Sequence, residues 1–190
     1  QGREDVPSFI KTFAGDDRHI VDYLVEEVLN LQYDPIQQFL LQTSILNRLT
    51  ESLCDFVTGR KGSQGILDDL ERSNLFIVPL DNQRKWYRYH HLFAELLKKR
   101  LYQIECDYIS ELHNRASRWY EENGIKDEAV NHALRAQNFE GAANLIGEMV
   151  KKSWDYDNRI LRWHEMLPIE LIHNDPYLSM LNARMLYENG

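Results

Sequence analysis

The stretch from Ser73 to Leu97 constrains this chain more than any other. Leu75 to Leu80 is a six-residue apolar run. Trp86 to His90 alternates, with Tyr87 and Tyr89 opposed to Arg88, and Asp81 to Lys85 between the two runs is polar turn material. Leu92, Phe93, Leu96, Leu97 and Leu101 then recur at helical spacing. The pattern predicts a short β-hairpin running directly into an amphipathic helix, with His90 and His91 at the join. A lone hairpin is marginal in water, so this one needs helices to pack against. The short helices just before it are the candidates, and together they make a winged-helix pattern.

Those helices have their own start and stop signals. Asp34-Pro35-Ile36-Gln37 reads as a capped start, with aspartate as the cap, proline at the first helical position and Gln37 completing a capping box. Phe39, Leu40 and Leu41 lead from it toward Ile45 and Leu46. A second helix is expected after Thr50, with Leu53, Cys54 and Val57 inward, ending at Gly59. A third is expected after Ser63, with Ile66, Leu67 and Leu70 inward, ending near Asn74. With the hairpin and its closing helix these make a winged-helix domain over residues 34–104. Upstream, Asp16 or Asp17 can cap a helix with Ile20, Tyr23, Leu24, Val28 and Leu31 on one face, so residues 1–33 read as a helical linker.

After Leu101 the texture changes. Ile109, Leu112, Ala116, Trp119 and Tyr120 form one stripe, ended by Gly124. Ala129, Val130, Ala133 and Leu134 form the next, and Phe139, Ala142, Ala143, Leu145 and Ile146 a third. Asn158 is the expected cap of a fourth helix reaching Leu167, and Asp175-Pro176 opens a fifth with Leu178, Leu181 and Met185. Paired helices with short links and alanines at the contacts predict tetratricopeptide-like (TPR-like) antiparallel repeats over residues 105–190. The fold class expected is therefore mainly α: a winged-helix domain with a small β-hairpin, then TPR-like helical repeats. The chain begins without methionine and stops at Gly190 inside a helical pattern, which predicts a segment cut from a longer protein. Leu178, Leu181, Met185 and Leu186 would then lack a following repeat to cover them, predicting a last helix that frays or hides against a second copy.

Charge and motifs exclude several functions. The net charge of −8 argues against non-specific nucleic-acid binding. No apolar run approaches the ~20 residues of a membrane span, and no apolar segment after Gln1 to Asp5 suggests a signal peptide. Cys54 and Cys106 lack the spacing of a disulfide framework or zinc site. No metal site is expected, and a reducing, cytoplasmic setting is. Gly59-Arg-Lys-Gly-Ser63 lacks the spacing of a phosphate loop and the strand before it, and reads as a helix-to-helix turn. The acids Glu26, Glu27, Glu121 and Glu122 read as solvated helix faces. With no catalytic motif, no catalytic residue is assigned and the segment is not expected to be an enzyme.

A winged helix can also read DNA, here with Ser63 to Arg72. That helix carries Asp68, Asp69 and Glu71 against one Arg72, and offers only Gln64 at its first turn to read bases. The wing holds a basic patch of Arg84, Lys85 and Arg88, sized for a modest phosphate contact. No direct nucleic-acid partner is expected for this segment. His90 and His91 fit two readings: an anion site at a helix N-terminus, or plain packing and capping.

Longer strings resemble a known family. Phe39-Leu-Leu-Gln-Thr-Ser-Ile-Leu46, Leu53-Cys-Asp-Phe-Val-Thr-Gly59, Asn74-Leu-Phe-Ile-Val-Pro-Leu-Asp81 and Trp86-Tyr-Arg-Tyr-His-His-Leu-Phe-Ala94 resemble the large ATP-dependent, LuxR-type transcription regulators of the MalT-like kind. Upstream, Phe13, Gly15, Arg18, Ile20 and Asp22-Tyr-Leu24 are similar too. So, downstream, are Leu112-His113, Ala116, Trp119-Tyr-Glu121, Gly124, Glu128-Ala129 and His132-Ala-Leu134. The family belongs to the STAND class of signal-transduction NTPases. The resemblance implies an upstream P-loop ATPase domain, then this region, then a superhelical sensor and a LuxR-type helix-turn-helix. Residues 1–33 would link to the ATPase module. The segment itself would hold no cofactor, while the parent would use ATP and ADP. Tyr89-His90-His91-Leu92 also resembles the Met-His-Asp motif of related STAND proteins, whose histidine touches the nucleotide β-phosphate at rest. By position that histidine is His90, and His91 stands where the motif has aspartate.

Two classes of function follow. In the first, the segment is a relay whose partners are the upstream ATPase domain and the downstream sensor repeats, with a small-molecule inducer or regulatory protein on the sensor and self-association in the active state. In the second, it is an interaction scaffold whose helical repeats bind a partner.

Overall fold

Hydrophobic periodicity, turn chemistry and one short ladder determine the first half of the fold. The computed structural model describes residues 29, 32–104, 106–152 and 157–189. The helix expected over residues 16–31 lies outside the described residues, as does nearly all of the 1–33 linker. The chain divides into two compact units, residues 1–106 and 107–190.

In the first unit α1 (Asp34–Thr43), α2 (Glu51–Thr58) and α3 (Ser63–Arg72) precede β1 (Ile77–Pro79), β2 (Tyr87–Tyr89) and α4 (His91–Ile104). The start of α1 departs from expectation. Tyr33, not Asp34, is the N-cap, and its carbonyl accepts the amides of Ile36 and Gln37 at 2.8 and 3.1 Å. Pro35 is thereby one position further in, where an amide still has no intrahelical partner to lose. Gln37 makes no capping box and donates to the Gln32 carbonyl at 2.8 Å.

Gly59 ends α2 at φ 69° and Gly62 opens α3 at φ 86°, both in the left-handed region where a side chain is penalised. No local side chain caps α3. Instead the Asp55 carboxylate, from α2, accepts the amides of Gly62 at 3.2 Å and Ser63 at 2.9 Å. A phosphate loop would keep such amides for its ligand, so Gly59 to Ser63 is a helix-to-helix turn. Leu67 and Leu70 are buried as expected, while Ile66 is half-buried.

The hairpin pairs Ile77 with Tyr89, Val78 with Arg88 and Pro79 with Tyr87. It is shorter than the apolar run suggests, because Asn74 and Phe76 take left-handed backbone angles and Val78 and Leu80 face outward. It also gains a third, single-residue partner. Leu49 exchanges both backbone hydrogen bonds with Tyr87, at 2.8 and 2.9 Å. Tyr87, Tyr89, Phe93, Leu97 and Leu101 then bury against α1 and α2 residues such as Phe39, Leu40, Leu53 and Val57. The Thr43 hydroxyl donates to the Phe39 carbonyl at 2.6 Å. Tyr89 must therefore be the donor in its 2.7 Å bond to the Thr43 oxygen. Burial pushes the Tyr89 phenol well above its ordinary pKa, so this bond keeps its proton.

The second unit holds α5 (Cys106–Glu122), α6 (Lys126–Arg135), α7 (Phe139–Lys152), α8 (Asn158–Glu165), α9 (Ile169–Asn174) and α10 (Pro176–Asn189). Ala116, Ala129 and Ala142 are fully buried, which lets the helix axes approach. Asp157, not Asn158, caps α8, accepting the Arg159 and Ile160 amides at 2.9 and 3.3 Å. The six-residue α9 was not expected. It uses Pro168 as its N-cap, so the proline that stops one helix starts another. Asp175 follows it and caps α10 through the amides of Tyr177 and Leu178 at 2.8 and 2.9 Å.

The last helix corrects an expectation. Leu178 and Leu181 are buried inside the unit, where α10 packs on α7, α8 and α9, rather than lying open. Only the distal part of the stripe is exposed, with Leu186 70% and Tyr187 89% accessible. The extra helix α9 supplies cover that a repeat pattern assigns to the next repeat.

His164 gives this packing a pH dependence. It is buried and its Nε2–H donates to the Leu178 carbonyl at 3.2 Å. Burial holds its pKa below the ordinary 6.5. Above that value the ring is neutral in both folded and unfolded chains. Below it the unfolded chain takes up a proton that the native unit refuses, so stability falls until the folded-state pKa is reached. His164→Gln keeps an amide donor without a titrating ring. Urea midpoints for residues 107–190 should drop between pH 7.5 and 5.5 more in the native sequence than in this variant. Equal drops would remove His164 from the account.

Candidate functional site

The site is built where the hairpin hands over to α4. The His90 amide donates to the Phe76 carbonyl at 2.6 Å, extending the ladder by one step. The His90 carbonyl then accepts from Ala94 at 2.9 Å, which begins the helix. His90 is thus fixed by its backbone from both sides. Its ring is half-buried, lies 4.5 Å from the exposed ring of His91, and makes no hydrogen bond among the described residues. Burial, then the neighbouring His91 and Arg88, lowers the His90 pKa below the usual histidine range. A neutral ring beside a guanidinium and a helix N-terminus is suited to donate one N–H to an anion. An anion there would also favour proton uptake, because it offsets the positive neighbours.

The basic wing patch does not hold together. Arg84 pairs with Glu71 of α3 at 3.2 Å and lines a groove with Gln64, Asp68 and Arg72. Arg88 lines a different groove with Arg48, Trp86 and Asp81. Lys85 is exposed and lines neither. Asp81, read only as turn material, organises the wing. Its carboxylate accepts the amides of Gln83, Lys85 and Trp86 at 2.8, 3.2 and 2.8 Å, and these bonds lower its pKa.

The face of α3 is committed inward and to acids. The Tyr87 hydroxyl donates to Asp68 at 3.1 Å, and Gln64 donates to the same oxygen at 2.7 Å. Gln64, the one side chain suited to base reading, is therefore engaged, and Asp69 pairs with Arg72 at 3.2 Å. Such a surface repels phosphates. Elsewhere Cys54 is buried and its thiol is pushed well above the usual range. No group of three or more histidine, cysteine or acidic residues placed to hold a metal occurs among the described residues. No described helix is long and apolar enough to cross a membrane.

Three helices, a two-stranded wing tied to Leu49, and a closing helix define the first unit as a winged-helix domain. Residues 25–107 match the family described as the MalT winged helix domain. The chain is 30% identical over 174 residues to the HTH-type transcriptional regulator MalT of Cronobacter sakazakii, covering 88% of this chain and 19% of that protein. With MalT of Vibrio cholerae it is 34% identical over 172 residues, covering 87% and 18%. It is also 32% identical over 146 residues to the serine/threonine-protein kinase PknK of Mycobacterium tuberculosis, covering 77% and 13%. The chain is thus a MalT-like fragment, with a MalT-type winged helix followed by further helices. It spans less than a fifth of the length of these relatives.

Proposed function

We propose that this segment is a regulatory relay, coupling the nucleotide state of an upstream P-loop domain to a downstream superhelical sensor and DNA-binding domain. One observation carries the reading. His90 is held by its backbone between the hairpin and α4, while its ring keeps its hydrogen-bonding capacity beside Arg88. The parent is a cytoplasmic STAND-class ATPase, and ADP binds its P-loop domain with His90 as one further donor to a phosphate. Closure over ADP holds the resting state. Inducer and ATP release it and permit self-association. The segment alone performs no catalysis and holds no nucleotide, because the phosphate loop supplying most contacts lies outside it. Similarity to both a transcriptional regulator and a protein kinase supports a module that transmits a state to different outputs.

The test is made in the full-length parent. His90→Ala removes a hydrogen bond to a charged group, worth roughly 1.5–3 kcal/mol. ADP retention should weaken about 10- to 150-fold, and basal activity should rise. A mutant with native ADP affinity and native basal activity would sink the nucleotide contact and leave an interaction scaffold as the better reading.

A further inference from the structure

The helical unit carries a basic groove that the relay does not use. Asn131, Leu134 and Arg135 lie on one face of α6, at i, i+3 and i+4. Arg159, Arg162, Trp163 and Met166 lie on one face of α8 and its end, at i, i+3, i+4 and i+7. The faces meet in a groove of about 390 Å³. Trp163 forms its wall and is fixed there, since its indole N–H donates to the Asn131 side-chain oxygen at 2.9 Å. Met166 is 57% exposed at the rim, with Ile169, also exposed, just beyond it.

The three guanidiniums are not equivalent. Arg159 is neutralised within the fold by Asp157 and Asp127. Arg135 and Arg162 are exposed and make no ion pair among the described residues. On a chain with 30 acidic against 22 basic side chains, this is a local reversal of sign. A guanidinium presents a planar fork that matches a carboxylate through two parallel bonds. Leu134, itself buried, and the exposed Met166 line the same groove, and methionine adapts to varied shapes.

We propose that this α6–α8 groove binds an acidic polypeptide segment bearing an apolar side chain. Its carboxylates pair with Arg135 and Arg162, and its apolar residue seats on Leu134 and Met166 beside Trp163. A bare anion would leave that apolar floor unused. Nucleic acid would meet the net negative charge of the whole chain.

The test uses the 190-residue chain and a fluorescent twelve-residue peptide of repeating Asp-Leu-Glu, read by anisotropy at two salt concentrations. Micromolar binding that weakens with salt is expected. Arg135→Glu with Arg162→Glu should weaken it roughly tenfold or more, and Met166→Ser should weaken it without changing the salt dependence. Both variants alter exposed side chains, and circular dichroism verifies their fold. A peptide with lysine in place of the acids, and inorganic phosphate as competitor, should have no effect. The proposal is overturned by failure of the acidic peptide to bind, by equal binding to the charge-reversed variant, or by equal competition from phosphate or duplex DNA.

Discussion

Replacing Phe93 with alanine is expected to destabilise the winged-helix unit by about 3–5 kcal/mol. Phe93 is fully buried on the first turn of α4. Its ring stands 5.4 Å from that of Phe76 and edge-on to Tyr89 at 5.9 Å. Neither neighbour can easily fill the void. Phe76 sits on backbone fixed at φ 54°, and Tyr89 is pinned through its hydroxyl to Thr43. A loss of that size is a large fraction of a domain's total stability. Since the chain has two units, a global melt would mix them. Hydrogen exchange on residues 77–97 reads the effect directly. Protection should collapse there and persist in residues 107–152. A cost under about 1 kcal/mol, well below the range for such truncations, would mean that the cluster relaxes around the gap. The consequence reaches the proposed nucleotide contact, because His90 keeps its position only while the hairpin and α4 pack on this ring.

Much of this fold was legible because its signals are local. Thr50 and Gly59 bound α2, and the alternation Tyr87-Arg88-Tyr89 predicted which face of β2 is buried. Leu53, Cys54, Val57, Phe93, Leu97 and Leu101 lie inside, where their spacing puts them. The misses have causes that local periodicity does not carry: a partner elsewhere in the chain, or an element too short to show a period. Leu49 joins the wing by a single bridge, too short to leave an alternating pattern. The cap of α3 comes from Asp55, eight residues before Ser63. Helix α9 is six residues long, below the length at which periodicity carries information.

The candidate site was legible in part for the same reason. His90 and His91 are adjacent, so their place at the strand-to-helix join follows from the local pattern alone. Arg84, Lys85 and Arg88 form a patch in the sequence because they are close in the chain. The hairpin undoes that grouping: Arg84 faces Glu71 of α3, while Arg88 stands beside Arg48 and contributes to the field at His90. Arg135 and Arg162 of the α6–α8 groove stand on different helices, and only the packing of those helices brings them together.

Replacing His132 with alanine is expected to cost the helical unit about 2–5 kcal/mol, from a lost buried ring and a broken buried hydrogen bond. The ring is fully buried, stacks on Tyr120 at 5.4 Å, and its Nδ1 lies 2.8 Å from Nδ1 of buried His113. One ring must donate and the other accept in that bond. It is the middle rung of a polar ladder joining α5 to α6. Above and below it, Ser110 donates to the Ala136 carbonyl at 2.7 Å and Ser117 to the Ala129 carbonyl at 2.8 Å. Residues 110, 113 and 117 share one face of α5, so the ladder sets the register of the two helices. Removing one partner from a buried pair costs more than replacing both with apolar groups of similar shape. His132→Leu alone should therefore destabilise the unit, whereas adding His113→Leu should restore part of the loss. Urea unfolding of the two single variants, the double variant and the native sequence completes the cycle. Strictly additive losses would show that the two rings act as independent packing groups and that their shared bond contributes nothing to the joint between α5 and α6.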